Sequence, residues 1–269
     1  MNHEQSTMNR LINLGILLAL MGVLGVNREV YSQDVTLEVA QQQGNLSATG
    51  WYNQGVDKLK EGNYQEAIAD FSEAIKLNGK DPDFYYNRGY VQHILGNYQG
   101  AIEDYTAAIK LNAKYADAYG NRCYAQYLLK QYSEAIADCN QAIALKPSNI
   151  NAYIIRGNSQ DDLGNHQAAI TDYDKAISLD VNNPRAYYNR ALAYNRLGEN
   201  EKALADYNAS IQLNPQYADS YYNRGLTHYK LNQTKEAIAD WQEAATLFGT
   251  QGKSENEQKA RELIAKYGG

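Results

Sequence analysis

Residues 83–111 read DFYYNRGYVQHILGNYQGAIEDYTAAIKL, two stretches of helical character parted by a Gly-Asn pair. The second stretch, from about Gln99 to Leu111, sets Ala101, Ile102, Tyr105, Ala108, Ile109 and Leu111 at the three- and four-residue spacing that gives a helix one apolar face. The first runs from about Asp83 to Leu95. It stops at Gly96-Asn97, because glycine takes the left-handed backbone that ends a helix at least cost. The same text returns 34 residues away in both directions. Ala67-Ile68, Ala101-Ile102, Ala135-Ile136, Ala169-Ile170, Ala203-Leu204 and Ala237-Ile238 are six registered copies with no insertion between them. An aromatic recurs on the same step at Trp51, Tyr85, Tyr119, Tyr153, Tyr187 and Tyr221. Four residues after each comes a small residue: Gly55, Gly89, Cys123, Gly157, Ala191 or Gly225. Small residues in that column allow two antiparallel helices to approach closely.

Around this core the chain has 269 residues, 25 Lys plus Arg against 31 Asp plus Glu, and a net charge of −6. Such a balance offers no broad basic surface to phosphates, so nucleic-acid partners are not expected. There are 24 Tyr against 3 Phe, and only 4 Pro. Residues 1–32 read as a signal peptide or an N-terminal membrane anchor. Leu11 to Val26 carries no charge, yet is short for a span of about 20 apolar residues. Cleavage is expected after Ser32, and an uncleaved tether through residues 11–26 is the alternative. Either way the remainder is exported, to a periplasm, the cell exterior or an internal-membrane lumen. Residues 33–47, with Gln41-Gln42-Gln43-Gly44-Asn45, read as a flexible linker.

The aromatic, Gly, two Ala, second aromatic and 34-residue step closely resemble the tetratricopeptide repeat. The resemblance covers residues 48–251 as six repeats and implies an all-α, right-handed α-solenoid of helix-turn-helix units. Residues 252–269 are expected to form the C-terminal capping helix. In that segment Ser254 and Glu257 are spaced for a capping box, and Ala260, Leu263, Ile264 and Tyr267 make one apolar stripe.

No catalytic chemistry emerges. His3, His93, His166 and His228 are scattered without metal-ligand or triad spacing, and no phosphate loop follows a strand. No enzyme activity, cofactor or metal is expected. Asp161-Asp162, an adjacent acidic pair inside a repeat, reads as a solvated helix end.

The resemblance places the first helix of each repeat on a concave face. There the chain carries Asn53, Asn87, Asn121, Asn189 and Asn223, with Ile155 interrupting in the fourth repeat. Side-chain amides match the N–H and C=O groups of an extended peptide, and some family members are known to use such a ladder. The alternative is that these amides bridge neighbouring helices. Beside them stand Tyr52, Tyr86, Tyr188 and Tyr222, then Tyr90 and Tyr124, then Tyr127 and Tyr229, which offer contact area at small entropic cost. Ile154 and Ile155, flanked by Asn158, are expected to form an apolar pocket for one partner side chain. The basic clamp that some relatives close on a terminal carboxylate is missing, since Tyr52 and Val56 occupy its first two places. The function expected is an exported adaptor or assembly factor holding an extended peptide segment; a membrane-tethered spacer or self-associating scaffold is the rival.

Two further column sets concern architecture. Asp70, Asp104, Asp138, Asp172, Asp206 and Asp240 recur on the second helices, and Arg88, Arg122, Arg156, Arg190 and Arg224 on the first helices of copies two to six. Each Asp is expected to pair with the Arg of the next unit, Asp70 with Arg88 through Asp206 with Arg224. Cys123 and Cys139, the only cysteines, fall in copy three on facing columns. They are either a disulfide closing a loop of about 17 residues, worth roughly 3 kcal/mol on the entropic account, or two buried thiols.

Overall fold

The computed structural model describes residues 46–268, and among these the secondary structure is entirely α-helical. Residues 1–32, expected to be a signal peptide or anchor, and residues 33–45 of the expected linker lie outside the described residues. No helix among the described residues is long and apolar enough to cross a membrane. The six hairpins are α1 (Ala48–Glu61) with α2 (Tyr64–Leu77), α3 (Pro82–Ile94) with α4 (Tyr98–Leu111), and α5 (Ala116–Leu128) with α6 (Tyr132–Leu145). They continue as α7 (Ile150–Asp162) with α8 (His166–Leu179), α9 (Pro184–Arg196) with α10 (Asn200–Leu213), and α11 (Ala218–Lys230) with α12 (Thr234–Thr250). Each helix packs on the one before and the one after, which makes an α-solenoid, and α13 (Ser254–Tyr267) closes its C-terminal end.

The hairpin core follows from the pairing of a small residue with a large one. Phe71, Tyr105, Tyr173, Tyr207 and Trp241 are fully buried, and all but Tyr207 lie directly over the glycine of their own first helix. A Cβ on Gly157 would stand 2.7 Å from Tyr173, and one on Gly225 2.6 Å from the Trp241 indole nitrogen. In the third repeat both columns change together: Cys123 and Cys139 form a disulfide with their Cα atoms 5.4 Å apart, inside the usual bridging range. One covalent link thus replaces the glycine-on-ring contact. At the hairpin turns Gly62, Gly96, Gly164 and Gly198 have positive φ as expected. Lys130 and Asn232 adopt the same left-handed conformation at φ 60° and 61° in copies three and six.

The ion pairs are real but lie elsewhere than expected. Each Arg binds the Asp of its own hairpin: Arg88 with Asp104, Arg122 with Asp138, Arg156 with Asp172, Arg190 with Asp206 and Arg224 with Asp240. In all five, Nε and Nη2 donate to the two carboxylate oxygens at 2.5–2.9 Å, the forked geometry that guanidinium favours. The remaining Nη1 reaches back to the preceding repeat and donates to Ser72, Thr106, Asn140, Asp174 or Asn208 at 2.5–3.0 Å. The stacking contact is therefore made by the arginine's third arm. Its absence from copy one still makes sense, because no described repeat precedes it.

At the C-terminal end Ala260 is buried, and Tyr267 packs 4.3 Å from the Tyr229 ring and 5.9 Å from Trp241, so α13 covers the last hairpin. The capping box does not form. Lys253 is the N-cap, Ser254 is already helical, and Glu257 pairs with Arg261 at 2.8 Å.

Candidate functional site

The asparagine column and the tyrosine column beside it are joined across repeats. Asn87 Nδ2 donates to the Tyr52 hydroxyl at 3.1 Å, Asn121 to Tyr86 at 3.0 Å and Asn223 to Tyr188 at 3.2 Å, always to the preceding repeat. Asn87 and Asn223 also donate to the carbonyl oxygens of Asp83 and Asp219 in their own helices, at 2.9 Å each. Each tyrosine ring in turn rests on a following aromatic, Tyr52 on Phe84, Tyr86 on Tyr115 and Tyr188 on Tyr217, with ring centres 4.9–5.0 Å apart. Burial pushes the Tyr86 hydroxyl's pKa up. The amide donors of these asparagines are therefore committed to holding one first helix against the next, while Asn53, at the start of the array, is exposed.

This pairing fails at one place, and the failure makes a cavity. The tyrosine column reads Gly120 in copy three and Ile154 in copy four, and its stacking partners there are Asn149 and Asn183. With no Tyr hydroxyl at position 120 to receive an amide, the asparagine column carries Ile155 instead. Asn189 faces Ile154 in place of a tyrosine, and turns to Asn158 Oδ1 at 2.9 Å. The space left by the missing rings is a cavity of about 490 Å³. Four residues expected from the sequence to meet a peptide, Tyr86, Asn121, Tyr124 and Ile155, line it, together with Asp117, Lys146 and Arg185, which the sequence did not single out; Lys146 pairs with Asp117 at 3.4 Å. Ile154 and Ile155 are only 3 % and 6 % exposed, so they form the floor rather than an open apolar pocket. Ile155 packs on the Cys123–Cys139 pair beneath. Asn149 and Asn183 use their carbonyl oxygens to cap α7 and α9, accepting from Ala152 at 3.1 Å and Ala186 at 3.2 Å. Asn149 turns its Nδ2 toward Gly120.

A separate, smaller recess of about 100 Å³ contains Tyr127 and Asn189, two more of the expected residues. Burial pushes the Tyr127 hydroxyl up to about 12, with the Asp162 charge adding to the effect. Asp161 corrects the reading of a solvated helix end. It is 6 % exposed, bonded to His166 Nδ1 at 2.6 Å and to the Arg196 guanidinium of the next repeat, whereas Asp162 is exposed. Burial raises its pKa, against the pull of His166 and Arg196. Asn53, Asn87, Tyr90 and Asn223 lie outside both recesses; Tyr90 and Tyr124 are exposed. Among the described residues no three His, Cys, Asp or Glu side chains are grouped to hold a metal ion.

Known proteins agree with this architecture. Tetratricopeptide repeat models match residues 52–116, 116–149 and 218–250, and a TPR repeat model matches 157–198 and 193–232. No curated protein sequence matches significantly. Among solved structures, MamA is 24% identical over 61% of this chain and 96% of its own, with a TM-score of 0.56. YrrB, described as a TPR protein with an unusual peptide-binding site, is 21% identical over 71% of this chain and 97% of its own, with a TM-score of 0.56. A tetratricopeptide repeat protein from Parabacteroides merdae is 20% identical over 82% of this chain and 91% of its own, with a TM-score of 0.65. These likenesses show the fold. With family models spanning residues 52–149 and 157–250, the chain belongs to the tetratricopeptide repeat family, whose fold serves protein–protein interaction and scaffolding.

Proposed function

We propose that the protein is an exported, non-catalytic adaptor that holds an extended peptide segment of a partner along its first helices, entered at the cavity between copies two and five. The observation that carries this reading is the break in the Tyr–Asn pairing at Gly120, Ile154 and Ile155. At three other steps, Tyr52 on Phe84, Tyr86 on Tyr115 and Tyr188 on Tyr217, the repeats close with an aromatic pair; here the columns leave a recess with an apolar floor, an exposed Tyr124, and amide and charged groups at its rim, Arg185 among them and Lys146 paired with Asp117. Such a mixture suits one large side chain and the polar backbone around it. YrrB, similar in fold and described by its peptide-binding site, supports the same use of the scaffold. Two observations support export: the uncharged run from Leu11 to Val26, and a buried disulfide, which persists in oxidising compartments.

Selection of a displayed random-peptide library on the full chain tests the reading. Peptides enriched on the wild type should bind Tyr124→Ala about tenfold more weakly, as expected for loss of an aromatic anchor worth about 1.4 kcal/mol. Enriched peptides that bind both proteins equally would overturn the placement.

A further inference from the structure

Copy one contains an incomplete version of a site that the molecule builds five times. In copies two to six the Asp of the second helix is gripped by a forked guanidinium, and that guanidinium lies over the tyrosine three residues before it. The rings of Tyr85, Tyr119, Tyr153, Tyr187 and Tyr221 sit 5.4–5.9 Å from Arg88, Arg122, Arg156, Arg190 and Arg224. Copy one keeps the carboxylate as Asp70 and the aromatic as Trp51, and puts the shorter, neutral Gln54 where the arginine belongs. Asp70 is 6 % exposed, and its Oδ2 is buried without a hydrogen-bond partner. Between Trp51 and Asp70 an open recess of about 360 Å³ takes the place of the preceding helix, with Glu66 and Glu73 on its wall. Among the described residues the one cation in the lining, Lys58, is bound to Glu66 at 2.6 Å. Burial raises the Asp70 pKa, and neither Lys58 nor the Gln54 amide offsets it.

We propose that this recess takes the guanidinium of an arginine side chain carried by a partner polypeptide, which docks on the first hairpin where a preceding repeat would stack. A buried carboxylate with an unpartnered oxygen beside an aromatic face matches a planar cation with several donors better than a compact ammonium, whereas Glu66 and Glu73 on the wall are already paired with Lys58 and Lys76. The site is separate from the cavity at Gly120 and stands without it.

N-acetyl-arginine amide is the probe, read in the full chain by the fluorescence of Trp51; the other tryptophan, Trp241, is fully buried. A saturable change is expected, about tenfold weaker with N-acetyl-lysine amide. It should vanish in Asp70→Asn and in Gln54→Arg, which fills the socket from within and should raise the melting temperature. Equal response to lysine, or an unchanged response in Gln54→Arg, would overturn the proposal. A response that appears only after Arg10 and Arg28 are both replaced by lysine would assign the socket to the chain's own N-terminal segment, and self-association abolished by Asp70→Asn would assign it to a second copy; either contradicts a separate partner.

Discussion

Arginine 122 shows how much one side chain does in this molecule. Two of its nitrogens hold Asp138 across its own hairpin, at 2.6 and 2.7 Å, and the third reaches Thr106 in the preceding one. Both carboxylate and guanidinium are mostly buried, so removing one leaves the other uncompensated. Double-mutant cycles should give a coupling of about 1.5–3 kcal/mol between Arg122 and Asp138. The cycle between Arg122 and Asp104, partners on the next-unit pairing, should give clearly less. The columns themselves were plain in the sequence, but a 34-residue period repeats the Arg-to-Asp step of one hairpin as faithfully as the Asp-to-Arg step between hairpins. Periodicity alone cannot choose between them. Asp240 held the clue: next-unit pairing leaves it without a partner, whereas the observed pairing gives it Arg224.

At the scale of elements, helix type, order and boundaries were legible almost to the residue, since α3 and α4 begin and end within one position of the sequence reading. Local signals, namely apolar spacing and glycine stops, are enough for that. They were not enough at the two turns lacking glycine. Lys130 closes the third hairpin at φ 60°, a conformation that costs an L side chain about 1–2 kcal/mol. Lys130→Gly should therefore stabilise by up to about 1 kcal/mol in denaturant unfolding, the gain being trimmed by the freer unfolded chain. The capping box failed for a related reason: Ser254 lies one residue inside α13, where its hydroxyl cannot serve as the cap, and Lys253 takes that position. The disulfide stayed open in the sequence because it depends on how closely α5 and α6 approach, a matter of packing rather than spacing.

Across the whole molecule, the abundance of tyrosine follows from a rule the repeats mostly keep: a ring fills every hairpin except the third, where the disulfide stands, and another bridges each step of the stack except those at Gly120 and Ile154. Burial pushes Tyr127 and Tyr217 up to about 12, with Asp162 and Asp219 contributing, and Tyr105, Tyr173, Tyr188 and Tyr207 higher still. Folding thus favours the neutral phenols. The stability they provide is intact below pH 10, near the unfolded value, and is lost as the pH rises through the raised folded values. Circular dichroism against pH should show cooperative unfolding beginning above about pH 10, with phenolate absorbance rising together with the loss of helix. The candidate site was half legible from this viewpoint. Tyr86, Asn121, Tyr124 and Ile155 were found by reading the columns, whereas Gly120, Asn149 and Asn183 were passed over because they interrupt the pattern. The interruption is the signal, since a cavity in a repeat array opens where the repeat departs from itself.

That point makes the decisive measurement simple. Gly120→Tyr restores the missing ring to the column, where a Cβ meets the Asn149 amide nitrogen at 3.2 Å, an atom that can turn aside, and Ala142 Cβ at 3.9 Å, an ordinary contact. Titrating a library-selected peptide into this variant by calorimetry, with helicity and melting temperature checked alongside, asks whether the cavity is where the partner enters. The account predicts a stable fold and a tenfold or greater loss of affinity, about 1.4 kcal/mol or more. An intact fold that still binds the peptide as the wild type does would contradict it.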